Sequence, residues 1–113
     1  MTTCSTHVLD AARGVPAVGV EVTLATPAGT TLAVAVTDAD GRVRWDGALV
    51  AAGGTAELEP ATYVVSFATG DWFRAAGRDT FFPHVDLAVA IDGPHVHVAL
   101  LLSPYAYTTY KGS

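Results

Sequence analysis

The chain has 113 residues, 50% of them hydrophobic and 15% charged, which is enough to bury one core and describes one domain spanning 1–113. Six Lys and Arg against eleven Asp and Glu leave a formal net charge of -5, and no basic run or aromatic-basic interleaving tracks a phosphate backbone, so nucleic acid is not expected as a partner. A domain of this size is short of material for a deep enclosed cavity, so a pocket completed by a second subunit is expected.

The first segment, "MTTCSTHVLDAARG", lacks a basic start followed by an apolar run, and no apolar stretch approaches the length of a membrane span. A cytoplasmic protein without a membrane partner is the expectation. Cys4 is the only cysteine, so no intrachain disulfide forms, and it reads as an inert residue near a frayed terminus.

Alternation and β-branched content predict strands near Ser5–Asp10, Val20–Ala25, Thr31–Thr37, Arg42–Trp45, Thr62–Ala68, Val85–Ile91, His95–Leu102 and Tyr105–Tyr110. Eight short strands predict an all-β, two-sheet antiparallel sandwich. "TPAG", "DADG" and "DGP" carry the turn residues of tight reversals, and they predict antiparallel meanders. One segment departs from the strand pattern: "TGDWFRAAG" has Asp71 near a helix start, apolar Trp72 and Phe73, and Gly77 as a stop, so one short helix is predicted there. "ALVAAGGTAELEPA" is small, Gly-containing and poorly periodic, and reads as a loop.

Period-two geometry places His95, His97, Ala99 and Leu101 on one face of the strand "HVHVALLL", and Val96, Val98, Leu100 and Leu102 on the other. The uniformly aliphatic face is the core candidate. The histidine face continues as Ala99 and Leu101 instead of the charges of a solvated face, so a ligand or another subunit is expected to cover it. The same logic groups Ser5, His7 and Leu9 on one side of the first strand. His-x-His on a strand can also be a metal pair, but no local cysteine or acidic third ligand accompanies it, and no metal is expected.

Two neutral imidazoles near an arginine can orient water and take its proton while the cation holds developing negative charge. Arg42, just after the "DADG" turn, is the first arginine to consider, although by itself it reads as a solvated residue at a strand start. His84 in "FFPHV" reads as a loop histidine. The strand pattern runs to Tyr110, so hairpin pairing is expected to hold Lys111 and Ser113 close to the histidine strand.

These stretches, "STHVLDAARGVPAVGVEVTL", "TDADGR", "FFPHVDL" and above all "HVHVALLLSPYAYTTYKGS", resemble the transthyretin-like (prealbumin-like) proteins, and within them the hydrolases of 5-hydroxyisourate, an intermediate of uric acid breakdown. The resemblance spans nearly the whole chain. It implies a two-sheet sandwich with a short helix, assembled as a homotetramer of two dimers with sites in the channel between them. It also implies hydrolysis of a cyclic amide C–N bond to give 2-oxo-4-hydroxy-4-carboxy-5-ureidoimidazoline, without metal or organic cofactor. By the same resemblance His7, Arg42 and His97 match the catalytic positions, and Tyr110, Lys111, Gly112 and Ser113 complete substrate binding.

The sequence departs from the pattern at Lys111, where the family tail usually reads Tyr-Arg-Gly-Ser, and a lysine offers a point charge in place of a planar fork. Ala99 stands where the family usually has proline, and His84 where it has glutamate. The competing reading is a transthyretin-like small-molecule carrier without catalysis, against which the two histidines and the "YKGS" tail argue.

Overall fold

In the computed structural model, residues 2–45 and 58–113 are described. The strands are β1 (Thr3–Asp10), β2 (Val15–Pro16), β3 (Glu21–Ala25), β4 (Thr31–Val36), β5 (Arg42–Arg44), β6 (Ala61–Phe67), β7 (Val85–Ile91), β8 (His95–Leu102) and β9 (Tyr107–Gly112); the helix α1 covers Thr69–Ala75. The stretch predicted as a loop at 48–61 falls mostly outside the described residues.

Two sheets form. One runs β2-β1-β8-β9, with β5 also pairing β1, and the other runs β4-β3-β6-β7. Their facing sides make the core. In β8 the aliphatic set turns inward as its alternation predicts, with Val96 and Val98 3% exposed and Leu100 and Leu102 fully buried. Val8 from β1, Val22 and Leu24 from β3, and Val65 and Phe67 from β6 meet them from the other strands.

The turns do not make a simple series of antiparallel hairpins. "TPAG" does close a hairpin between β3 and β4, with the Gly29 N–H donating to the Thr26 carbonyl. "DADG" and "DGP" instead carry the chain from one sheet to the other, joining β4 to β5 and β7 to β8. Turn chemistry fixes the local reversal, here with Gly41 and Gly93 at positive φ, but it does not fix which sheet the next strand enters. The larger departure is at the centre of the first sheet, where β1 and β8 pair in parallel over their full lengths.

The last strand starts two residues later than predicted. The Ser103 N–H donates to the Ala106 carbonyl, which leaves Tyr105 70% exposed at the tip of a reversal. Cys4 is not in a frayed end either: it lies inside β1, and burial pushes its thiol up to about 12, against a smaller lowering contribution from the Ser5 backbone.

Helix α1 forms where predicted, with Asp71 in its first turn and Gly77 beyond its end. Phe73 anchors it in the core, and the Trp72 indole N–H donates to the Val18 carbonyl at 2.7 Å. Past the helix, Arg78 reaches the nearly buried Asp10 of β1 at 2.7 Å and lies over the Phe73 ring at 4.8 Å, which ties the helix to the first sheet. No helix among the described residues is long and apolar enough to cross a membrane.

Candidate active site

The outward face of the first sheet carries the chemistry-bearing residues in rows that follow directly from strand register. His7 of β1 is flanked by Arg42 of β5 and Ala99 of β8, and Ala99 is paired with Tyr110 of β9. Two residues along, Ser5 is flanked by Arg44 and His97, and His97 is paired with Gly112. The next row holds Thr3 and His95. Paired residues project to the same side of a sheet, so three short rows from four strands converge on one surface. The small Ala99 leaves the floor open between His7 and Tyr110.

The result is a cleft of about 490 Å³ lined by His7, Arg42, His97, Tyr110, Gly112 and Ser113, six of the residues predicted to carry the site. Ser5, Arg44 and His95 also line it. Among the described residues no acidic side chain lines the cleft, so three imidazoles and two guanidiniums dominate its potential in a chain of net charge -5. Such a surface suits an oxygen-rich or anionic ligand.

Lys111 is the exception among the predicted residues. It pairs with Val98, whose side chain enters the core face, and it lines a separate groove with Val89 and Val98. The reason is alternation: with Tyr110 and Gly112 on the histidine face, the residue between them projects to the other side. The Lys111 side chain therefore faces away from the histidine cleft of its own chain, and Arg44 stands on the histidine face as the second cation beside Arg42. His84 is a loop residue, exposed and 3.0 Å from Asp86.

The "DADG" turn orients His7. The Asp38 carboxylate accepts from the N–H groups of Arg42 and Asp40, which hold its pKa below the ordinary value, and the Val8 N–H donates to the Gly41 carbonyl at 2.7 Å. Gly41 has φ 74 and faces the Val8 carbonyl so closely that a Cβ there would collide with it. So pinned, the turn presents the Asp40 carbonyl to His7 Nε2 at 2.9 Å. A carbonyl only accepts, so Nε2 carries the proton and Nδ1 of the neutral ring is the free acceptor.

The two site imidazoles lie with ring centroids 6.4 Å apart. His97 Nδ1 is 2.8 Å from Ser5 Oγ, and Ser5 Oγ is 2.8 Å from His95 Nε2. Burial lowers the His97 pKa from its ordinary 6.5, and the charges of Arg42, His7 and His95 lower it further. Both effects favour the neutral form of His97, the form that accepts a proton.

Ser5, Arg44 and His95 were not singled out as site residues from sequence. The signal was present in the same alternation: Ser5 shares a face with His7, His95 with His97, and Arg44 with Arg42.

Comparisons with known proteins show what the whole chain is similar to. The 5-hydroxyisourate hydrolase of Caulobacter vibrioides is 42% identical over 122 residues, covering 100% of both chains. The structure of Klebsiella pneumoniae 5-hydroxyisourate hydrolase superposes with a TM-score of 0.88 at 38% identity, covering 100% of both chains. Sea bream transthyretin in complex with thyroxine matches with a TM-score of 0.79 at 28% identity, over 96% of this chain and 93% of that one. Residues 4–112 match the HIUase/Transthyretin family, and the chain belongs to it.

Proposed function

We propose that the protein hydrolyses 5-hydroxyisourate to 2-oxo-4-hydroxy-4-carboxy-5-ureidoimidazoline in purine degradation. The observation that carries this reading is the pairing of two imidazoles with two arginines in a cleft with no acidic side chain among its described lining residues. A carrier of an apolar or aromatic ligand has no use for that arrangement.

In this mechanism His97 takes a proton from the attacking water, and His7, its tautomer fixed by the Asp40 carbonyl, positions the water or the ring through Nδ1. Arg42 and Arg44 hold the oxygens on which negative charge develops. Tyr110, Gly112 and Ser113 close the end of the cleft and bind the ring. No step of this mechanism is routed through a metal or organic cofactor: these side chains supply the base and the counter-charge, and solvent supplies the water.

The working form is a cytoplasmic homotetramer, a dimer of dimers with the sites between dimers. The support is the histidine face itself, which continues into Ala99 and a half-buried Leu101 where a free surface would carry charge.

The test is the decay of 5-hydroxyisourate, generated in place by urate oxidase and followed by ultraviolet absorbance. Acceleration that falls by about 100-fold or more in His97→Asn matches the loss of a general base. Wild-type turnover in that variant, with the fold intact, refutes the assignment of His97.

A further inference from the structure

The mechanism above uses His97 as the base and leaves two polar residues of the same cleft, Ser5 and His95, without a task. The geometry points to a proton relay running from His97 through Ser5 to His95, which carries the proton removed from water out to the exposed edge of the site and returns it to the leaving nitrogen. This inference rests on the hydrolase reading and deepens it.

The contacts form a continuous line along the sheet surface. His97 Nδ1 is 2.8 Å from Ser5 Oγ, Ser5 Oγ is 2.8 Å from His95 Nε2, and His95 Nδ1 is 2.5 Å from Thr3 Oγ1. The Thr3 hydroxyl donates to the Pro94 carbonyl at 3.4 Å. That carbonyl can only accept, so it sets the direction of the whole line. With the Thr3 proton directed at Pro94, Thr3 Oγ1 accepts from His95 Nδ1–H. His95 Nε2 then accepts from the Ser5 hydroxyl, and Ser5 Oγ accepts from His97 Nδ1–H. One consistent set of donors leaves His97 Nε2 bare, which is the atom a general base needs.

The groups around the two rings give the relay its direction. His97 is half-buried, with His7 on β1 and Arg42 and Arg44 on β5 on its own face of the sheet, while Lys111 of β9 borders the opposite face. The positive charges of Arg42, Arg44 and Lys111 disfavour a cation at His97. His95 lies at the exposed end of the same line. Moving the charge there relieves the repulsion from Arg42 and places it in contact with water.

The steps balance. The water oxygen bonds to the ring carbonyl carbon while its proton goes to His97 Nε2, the Nδ1 proton passes to Ser5 Oγ, and the proton originally on Ser5 passes to His95 Nε2. The charge then rests on His95. As the ring C–N bond breaks, the nitrogen keeps the bonding pair and takes the proton from His97 Nε2. The relay runs backward, His95 to Ser5 to His97 Nδ1, and restores the starting tautomers. One water is consumed.

The test combines kinetics on 5-hydroxyisourate with 15N imidazole spectra of the whole protein. Ser5→Ala is expected to lower kcat by about 10-fold or more with KM within about twofold, and to abolish the fixed Nδ1–H tautomer of His97. Ser5→Thr, which keeps a hydroxyl, restores both. His95→Ala is expected to lose kcat to a similar degree and to regain it with added imidazole, whereas Ser5→Ala does not regain it. The double variant is no slower than either single one, because the residues act as a unit. An active wild type whose kcat is indifferent to Ser5→Ala or to His95→Ala overturns the relay alone. A folded wild type without any acceleration overturns the hydrolase reading, and the relay with it.

Discussion

Gly112 is the point where one methyl group tests the whole arrangement. It pairs with His97 across β8 and β9, and a Cβ added there would lie 2.5 Å from His97 Cδ2 and 3.2 Å from Cγ. Carbon atoms settle at about 3.5–4.0 Å, so in Gly112→Ala either the imidazole or the end of β9 must move by about 1 Å. A displacement of that size costs about 100-fold in rate when it falls on a reacting group, equivalent to about 2.7 kcal/mol of transition-state stabilisation. The loss is expected mainly in kcat, read from the ultraviolet decay of 5-hydroxyisourate, while the melting temperature changes little because β9 is an edge strand. Lys111→Ala, one residue away but facing the other groove, serves as the control and is expected to stay within about twofold of wild type. Wild-type kcat/KM in Gly112→Ala would refute the packing of the tail against His97 as the basis of the site.

Two further outcomes follow from charge. Because burial and the nearby charges of Arg42, His7 and His95 depress the His97 pKa, kcat/KM should hold below pH 6.5 and fall only as the pH drops through the lowered value; Arg42→Gln should move that limb upward, and an unmoved limb would remove Arg42 as a cause. Arg78→Met strands the nearly buried Asp10 carboxylate and is expected to cost about 3 kcal/mol, read as a lower urea midpoint at neutral pH. Burial pushes the Asp10 pKa up, but hydrogen bonds from Arg78 and the Arg13 N–H, with both arginine charges, outweigh it and leave it below 3.8. A depressed carboxyl stabilises the fold above its unfolded pKa and loses that contribution as pH falls through its folded one, so the difference between wild type and Arg78→Met should shrink below about pH 4. An equal gap at pH 3 and pH 7 would contradict this account.

The strands themselves were legible because β8 obeys a strict alternation: four aliphatic residues on one side leave no ambiguity about the core, and the two histidines are thereby assigned to the other. His7 and Arg42 were legible as candidates through family resemblance, and register then explains why they are neighbours. What alternation within one strand cannot supply is the partner strand. β1 and β8 are both apolar on one side and polar on the other, and nothing in either states that they lie side by side in parallel, so Ser5 could not be placed between His95 and His97. The same limit turned "DADG" from a presumed hairpin into a bridge between sheets. Lys111 is a different case: the period-two rule, applied to β9 from Tyr110 onward, already places it opposite the histidine face, and the attraction of a basic tail residue concealed that.

The parallel β1–β8 pair also shapes how the protein comes to be active. Thr3 meets His95 and His7 meets Ala99, so the central ladder of the first sheet joins segments about 90 residues apart in sequence. Contacts of such separation form late, because most of the chain's entropy is surrendered before they return any stability. Until β8 arrives, the inner edge of β1 is unpaired and exposes Cys4 and Val8, a surface prone to association with other chains. Regain of turnover after dilution from denaturant is therefore a stringent clock for the final closure of the sandwich: a chain in which β5 has already paired with β1 but this ladder is open has His7 beside Arg42 and no His97 with them.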